Sequence, residues 1–83
     1  MVDDTEEQAW AEAGELDLRG LKCPLPAMKT IRALARMDAG GRLVVRATDP
    51  MSAIDIPHAV ASAGGRVVSH DRDGRVLTFQ IVR

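Results

Sequence analysis

Residues 15–37 read ELDLRGLKCPLPAMKTIRALARM, and they decide the fold because a strand pattern changes to a helix pattern within them. Over residues 15–19 apolar and polar side chains alternate, which places Leu16 and Leu18 on one face of a strand. After residue 23, apolar side chains recur at helical spacing, at Ala27, Met28, Ile31, Leu34 and Ala35. The stretch therefore predicts a strand, a turn and a helix that ends near residue 37.

The remainder of the chain continues this alternation of strands and helices. A second helix is expected between Met51 and Ala63, and its start stays open between Ser52 and Asp55 because Pro57 lies among its first turns. The order β-α-β-α-β-β predicts an α+β two-layer sandwich, in which two helices cover one face of a four-stranded mixed sheet. The other predicted strands are residues 42–48, 66–71 and 75–82, the last with Leu77, Phe79 and Ile81 facing inward.

Charge is distributed unevenly along the 83 residues. Residues 1–15 carry six acidic side chains and no basic one, whereas the rest of the chain carries six acids and eleven Lys or Arg. We expect residues 1–14 to be a disordered acidic leader, with a docked helix around Trp10 as the alternative, and residues 15–83 to form the domain. The lone cysteine and the absence of a long apolar run predict a cytoplasmic protein without membrane spans.

The single cysteine, Cys23, lies where the predicted strand-to-helix turn ends. We expect it at the helix cap, with Pro24 at the first helical position and Pro26 stiffening the first turn. The positive end of the helix, Arg19 and Lys22 are all expected to lower its pKa below that of a free thiol. The sequence thus predicts an exposed, acidic nucleophile, whereas a lone cysteine in an arbitrary chain is more often a small buried apolar residue.

Other functional readings of the sequence are weaker. His58 and His70 do not have the spacing of a zinc site with Cys23, so neither a metal nor a cofactor is expected. An RNA-binding or regulatory protein is the alternative function, because the region after the leader is basic. The pI near 6.0 and the single aromatic residue of that region, Phe79, disfavour direct nucleic-acid binding.

Two motifs resemble those of one known family. Residues 18–26, LRGLKCPLP, are similar to the Cys-Pro-x-Pro signature of the TusA (SirA-like) sulfur-carrier proteins. Residues 49–57, DPMSAIDIP, are similar to the second recurring segment of that family. The resemblance covers residues 15–83 and implies the same β-α-β-α-β-β sandwich.

The resemblance also implies a function in sulfur relay. Cys23 would accept a sulfane sulfur as a persulfide, from a cysteine desulfurase or another donor, and pass it to an acceptor protein. We therefore expect a monomer that acts as a sulfurtransferase in a relay, and the resemblance implies tRNA thiolation, molybdenum-cofactor assembly or sulfur oxidation as the destination of the sulfur. The predicted supporting residues are Arg19, Gly20, Lys22, Pro24 and Pro26. Asp49, Asp55 and Pro57 match the second motif, where capping and turn formation, or a partner surface, would explain them.

Overall fold

A computed structural model describes residues 10–83, which form four strands and two helices in the predicted order. Both helices pack on one face of the sheet, so the predicted α+β two-layer sandwich is confirmed. No helix in the described residues is long and apolar enough to cross a membrane. The elements are β1 Gly14–Leu18, α1 Leu25–Ala35, β2 Arg42–Ala47, α2 Ser52–Ser62, β3 Arg66–Asp73 and β4 Val76–Val82.

The sheet is mixed, with strand order β1-β2-β4-β3. β1 runs parallel to β2, with Leu18 opposite Ala47, and β4 is antiparallel to both of its neighbours. A parallel pair needs a crossover connection, which α1 supplies between β1 and β2. Because β1 and β2 are parallel, their carboxyl ends meet at one edge of the molecule, and both helices begin there.

The core lies between the sheet and the helices. Alternate residues of the central strands point into it, and the predicted inward face of β4, with Leu77, Phe79 and Ile81, is confirmed. Ile56 and Val60 of α2 close the core from the helical layer. The buried strand residues are Leu18, Leu43, Val45, Ala47, Leu77, Phe79 and Ile81.

Helix α1 buries a different face from the predicted one. Its buried side chains are Pro26, Thr30 and Leu34, while Met28 and Ile31 are exposed. The Thr30 hydroxyl donates a hydrogen bond to the Pro26 carbonyl at 2.8 Å, which lets a polar side chain lie in the core. The apolar spacing located the helix correctly, but Met28 and Ile31, which belong to the apolar set, do not lie on the face that packs against the sheet.

The helix boundaries also differ in part from the prediction. Helix α1 ends at Ala35, because Arg36 and the next residue bond to carbonyls three residues back and tighten the last turn. Helix α2 begins at Ser52, the earlier of the two predicted starts, and includes Pro57. Its end is a Schellman motif: Gly64, at φ +82°, and Gly65 donate to the carbonyls of Ala61 and Val60.

Asp73 lies in β3 rather than in the turn of the final hairpin. It pairs with Val76, which leaves Gly74 and Arg75 as a two-residue loop. Gly74 has φ +60°, whereas no described residue other than glycine has a positive φ. A glycine in the first loop position is the requirement of a type II′ turn.

Two substitutions in α1 separate core packing from helix content. Leu34 is fully buried and Met28 is 56% exposed. We expect Leu34→Ala to lower the free energy of unfolding by about 2–5 kcal/mol, because it leaves a cavity. Met28→Ala is expected to change it by no more than about 0.5 kcal/mol. Urea unfolding monitored by circular dichroism measures both values, and equal losses would contradict the orientation of α1.

Candidate functional site

Cys23 is exposed in the turn between β1 and α1, at the edge where the two parallel strands end. The turn between β2 and α2 lies beside it and contacts it directly. The amide of Gly20 donates to the Thr48 hydroxyl at 2.8 Å, which joins the two turns across the strand ends. Gly20 has φ +85°, a conformation that glycine adopts readily, so its predicted place at the site has a backbone reason.

Asp49 connects the cysteine backbone to the second turn. One of its carboxylate oxygens accepts a hydrogen bond from the Cys23 amide, and the other accepts one from the Met51 amide at 3.0 Å. These two hydrogen bonds from backbone amides lower the pKa of Asp49. Burial partly opposes this effect, and the charge of Lys22 lowers the pKa further. Asp49 is therefore anionic near neutral pH and fixes the position of the cysteine relative to α2.

Asp55 contacts the thiol itself. The Cys23 Sγ donates a hydrogen bond to Oδ2 of Asp55 at 3.0 Å, although 32 positions separate the two residues in the sequence. This hydrogen bond raises the pKa of the Cys23 thiol, and desolvation and the charges of Asp55 and Asp49 raise it further. The prediction of an acidic thiol is therefore wrong for the free protein, in which Cys23 is a protonated, hydrogen-bonded thiol.

The start of α1 explains why the helix does not acidify this thiol. Pro24, not Cys23, is the N-cap, Leu25 is the first helical residue, and Pro26 is the second. Neither proline has an N–H, and the Leu25 amide donates to the Lys22 carbonyl at 2.9 Å. Most of the donors that give a helix its positive end are thus missing or occupied, while two carboxylates lie next to the cysteine.

Arg19 does not steady the thiol as predicted. Its Nε and Nη2 atoms donate to the two carboxylate oxygens of Asp17, each at 2.8 Å. This pair lowers the pKa of Asp17 from 3.8 to about 2. The structure brings Gly20, Lys22, Pro24 and Pro26 to the site, and it directs the charge of Arg19 to the end of β1.

Large apolar side chains are exposed on the first turns of both helices. Leu25 is exposed two residues after Cys23, and Met51 and Ile54 are exposed on either side of the start of α2. Ile54 is the most exposed of these, at 67%. The thiol and its two carboxylates therefore lie on an edge that also carries apolar surface, a composition typical of protein contact sites.

The remaining candidates lie in other surroundings. Pro57 follows Asp55 by two positions within α2 and is half-buried. His70 stacks on Phe79 across the β3–β4 pair, with ring centroids 6.1 Å apart. No group of three metal-binding side chains occurs among residues 10–83.

The described part of the predicted leader contacts the open face of the sheet. The Arg42 guanidinium lies 5.7 Å from the centre of the Trp10 ring, and Trp10 lines a groove of about 520 Å³ with Glu15, Arg46 and polar residues of β3 and β4. The rest of the leader, residues 1–9, lies outside the described residues.

The fold and the site define a small α+β protein that presents one cysteine where two parallel strands end. A family model described as sulfurtransferase TusA matches residues 14–83. The chain belongs to this family, as its two motifs predicted.

Individual relatives agree with this assignment. The sulfur carrier protein TusA of Allochromatium vinosum is 36% identical over 67 residues, which cover 81% of this chain and 88% of that protein. TusA of Pseudomonas putida is 35% identical over 66 residues, covering 80% and 82%. The crystal structure of a SirA-like protein from Desulfitobacterium hafniense superposes with a TM-score of 0.71 at 26% identity, covering 82% of this chain and 93% of that one.

The raised thiol pKa predicts slow alkylation near neutral pH. Thiolates react with iodoacetamide and thiols do not, so we expect native Cys23 to react more slowly at neutral pH than the cysteine of an unfolded control peptide of residues 18–28. As the pH rises, the midpoint of the rate profile is expected to lie above that of the peptide. A native midpoint below the peptide's would contradict the Cys23–Asp55 hydrogen bond.

The Asp17–Arg19 pair predicts a specific acid dependence of stability. The folded-state pKa of Asp17 lies below its usual 3.8, so its contribution is complete above that value and is lost as the pH falls toward about 2. We expect the difference in urea midpoint between the native protein and Asp17→Asn to disappear over this range. Asp38→Asn is the control, and a difference that persists at the acid end would contradict the ion pair.

Proposed function

We propose that this protein is a sulfur carrier that holds sulfane sulfur as a persulfide on Cys23. The observation that carries the proposal is the exposed thiol of its only cysteine, placed in the turn that contains the first family motif. Membership in the TusA family supports the type of cargo, because its relatives are named sulfur carrier proteins. The particular pathway depends on the partners rather than on the fold.

The transfer reaction requires only the thiol and a partner persulfide. The Cys23 thiolate attacks the outer sulfur of a donor R–S–SH, a new Sγ–S bond forms, and the S–S bond of the donor breaks. The donor leaves as a thiolate and takes up the proton that Cys23 lost. The products are Cys23–S–SH and R–SH, so the sulfane sulfur moves without any external oxidant or reductant.

The second transfer repeats this chemistry in the opposite direction. An acceptor thiolate attacks the outer sulfur of Cys23–S–SH, and Cys23 is regenerated as a thiol. The chain contains one cysteine, so a second cysteine of the same chain cannot attack the persulfide and form a disulfide. The cargo leaves by transfer to another molecule.

The carrier accordingly works between a donor protein and an acceptor protein. We propose a cysteine desulfurase as one donor. We also propose that the carrier is a monomer, in which residues 15–83 form the sulfur-carrier domain and the acidic segment 1–14 precedes it. Gly20, Lys22, Pro24 and Pro26 support the cysteine turn, and Arg19 and Pro57 contribute to the surrounding surface. Asp49 holds that turn against α2 through the Cys23 amide.

Sulfur loading tests the proposal directly. Incubation with a cysteine desulfurase, pyridoxal phosphate and cysteine is expected to add the mass of one sulfur atom to the intact protein, and peptide mapping is expected to place it on Cys23. Cys23→Ser is the matched variant, and its fold is checked by circular dichroism. A Cys23→Ser protein that still gains the sulfur, or a native protein that gains none from the desulfurase or from a small persulfide, would refute the proposal.

A further inference from the structure

The hydrogen bond between Asp55 and the sulfur atom of Cys23 is unlike the surroundings of most reactive cysteines. Nucleophilic cysteines in general are activated by cations, a helix terminus or a neighbouring base, all of which lower the thiol pKa. Here the group within hydrogen-bond distance of Sγ is a carboxylate, 3.0 Å away. Asp55 disfavours the thiolate and so does not activate Cys23 as a nucleophile. It can instead change the relative stability of the empty carrier, with a Cys23 thiol, and of the loaded carrier, with a Cys23 persulfide.

We propose that Asp55 sets the affinity of Cys23 for sulfur, keeping the persulfide weakly held so that the carrier releases its cargo readily. This inference rests on the proposed sulfur-carrier function. It assigns Asp55 a chemical role in addition to its place in the first turn of α2.

The empty carrier is stabilised by this contact. The neutral thiol donates a hydrogen bond to the Asp55 carboxylate, and a hydrogen bond with one charged partner is stronger than a neutral one. The Asp49 carboxylate is held nearby by the Cys23 and Met51 amides. Both carboxylates favour a Cys23 that carries a proton and no charge.

The loaded carrier is destabilised by the same groups. A hydropersulfide is a stronger acid than the corresponding thiol, so the loaded cysteine carries negative charge over a wider pH range. That charge lies beside Asp55 and Asp49, and like charges at this separation repel. Lys22 is the nearby cation of the same turn, and its charge acts on Asp49. The exchange Cys23–SH + R–S–SH ⇌ Cys23–S–SH + R–SH is thereby shifted toward the empty carrier.

The neutral variant Asp55→Asn tests the proposal with a chemically defined probe. The protein is equilibrated at mildly alkaline pH with a mixture of glutathione persulfide and glutathione, and intact-mass spectrometry gives the ratio of loaded to empty carrier. We expect Asp55→Asn to raise this ratio at least about threefold, since each unit of pKa difference corresponds to about tenfold in such an equilibrium. Transfer of the sulfur from the loaded variant to excess free thiol is expected to slow correspondingly.

A second readout separates charge from general structural damage. Alkylation of empty Cys23 at neutral pH is expected to become at least about threefold faster in Asp55→Asn, because the thiol pKa falls. Asp55→Glu keeps the charge and is expected to stay closer to the native values. Asp55→Ser is a second neutral variant and is expected to shift both readouts in the direction of Asp55→Asn. Asp38→Asn, at the opposite end of α1, is the control for loss of one acid.

The outcomes distinguish the inference from the function on which it rests. If the native protein takes no sulfur from the persulfide mixture, the sulfur-carrier function itself is refuted. If the native protein loads but both neutral variants load and alkylate like Asp38→Asn, the role of Asp55 is refuted and the function stands. Lower loading in folded Asp55→Asn and Asp55→Ser would also overturn the proposal, since it would mean that the carboxylate favours the persulfide.

Discussion

The parallel pairing of β1 with β2 is the constraint on which the site depends. It brings the carboxyl ends of two strands to one edge, and with them the two turns that lead into α1 and α2. Asp49 can reach the Cys23 amide, and Asp55 the thiol, only because these turns are neighbours. An antiparallel arrangement would place the two turns at opposite ends of the sheet. Leu18 and Ala47 are paired across the two strands and are both buried, which favours the register that aligns the two turns.

The two motifs of the sequence therefore form a single structural unit. The first supplies a cysteine and two prolines, and the second supplies the carboxylates that hold the cysteine backbone and contact its sulfur. Each proline removes a helix-terminal N–H that could otherwise stabilise an anion. The prolines and the carboxylates act in the same direction, toward a cysteine that is fixed in position and uncharged when empty. The fold thus exposes the Cys23 thiol in a fixed position without lowering its pKa.

The sequence predicted most of the architecture because its signals are local. The alternation in β4 and the paired glycines after α2 specify a strand and a helix end without reference to the rest of the chain. The orientation of α1 was not predictable from apolar spacing, since Thr30 enters the core through a hydrogen bond to a carbonyl of the same helix. A hydrophobicity pattern does not reveal that a polar residue can be buried because its hydroxyl is hydrogen-bonded within its own helix.

The chemistry of the site was harder to predict than its location. The exposure of Cys23 followed from its position in a turn, but its protonation state depends on Asp55, which is distant in sequence. Spacing carries no information about that contact. Similarly, Arg19 was expected at the thiol because it is close in sequence, whereas it binds Asp17, two residues before it near the end of β1. Only the family motif that contains Asp55 indicated that the two segments belong together.

The protonated thiol of the empty carrier also bears on how the protein withstands oxidants. Peroxides attack thiolates, and the sulfinic and sulfonic acids that form by over-oxidation of a lone cysteine are not returned to the thiol by ordinary reductants. A carrier with one cysteine loses its function permanently in a single such event. By raising the pKa of Cys23, the carboxylates of α2 and its preceding turn favour the form of the cysteine that peroxides attack least.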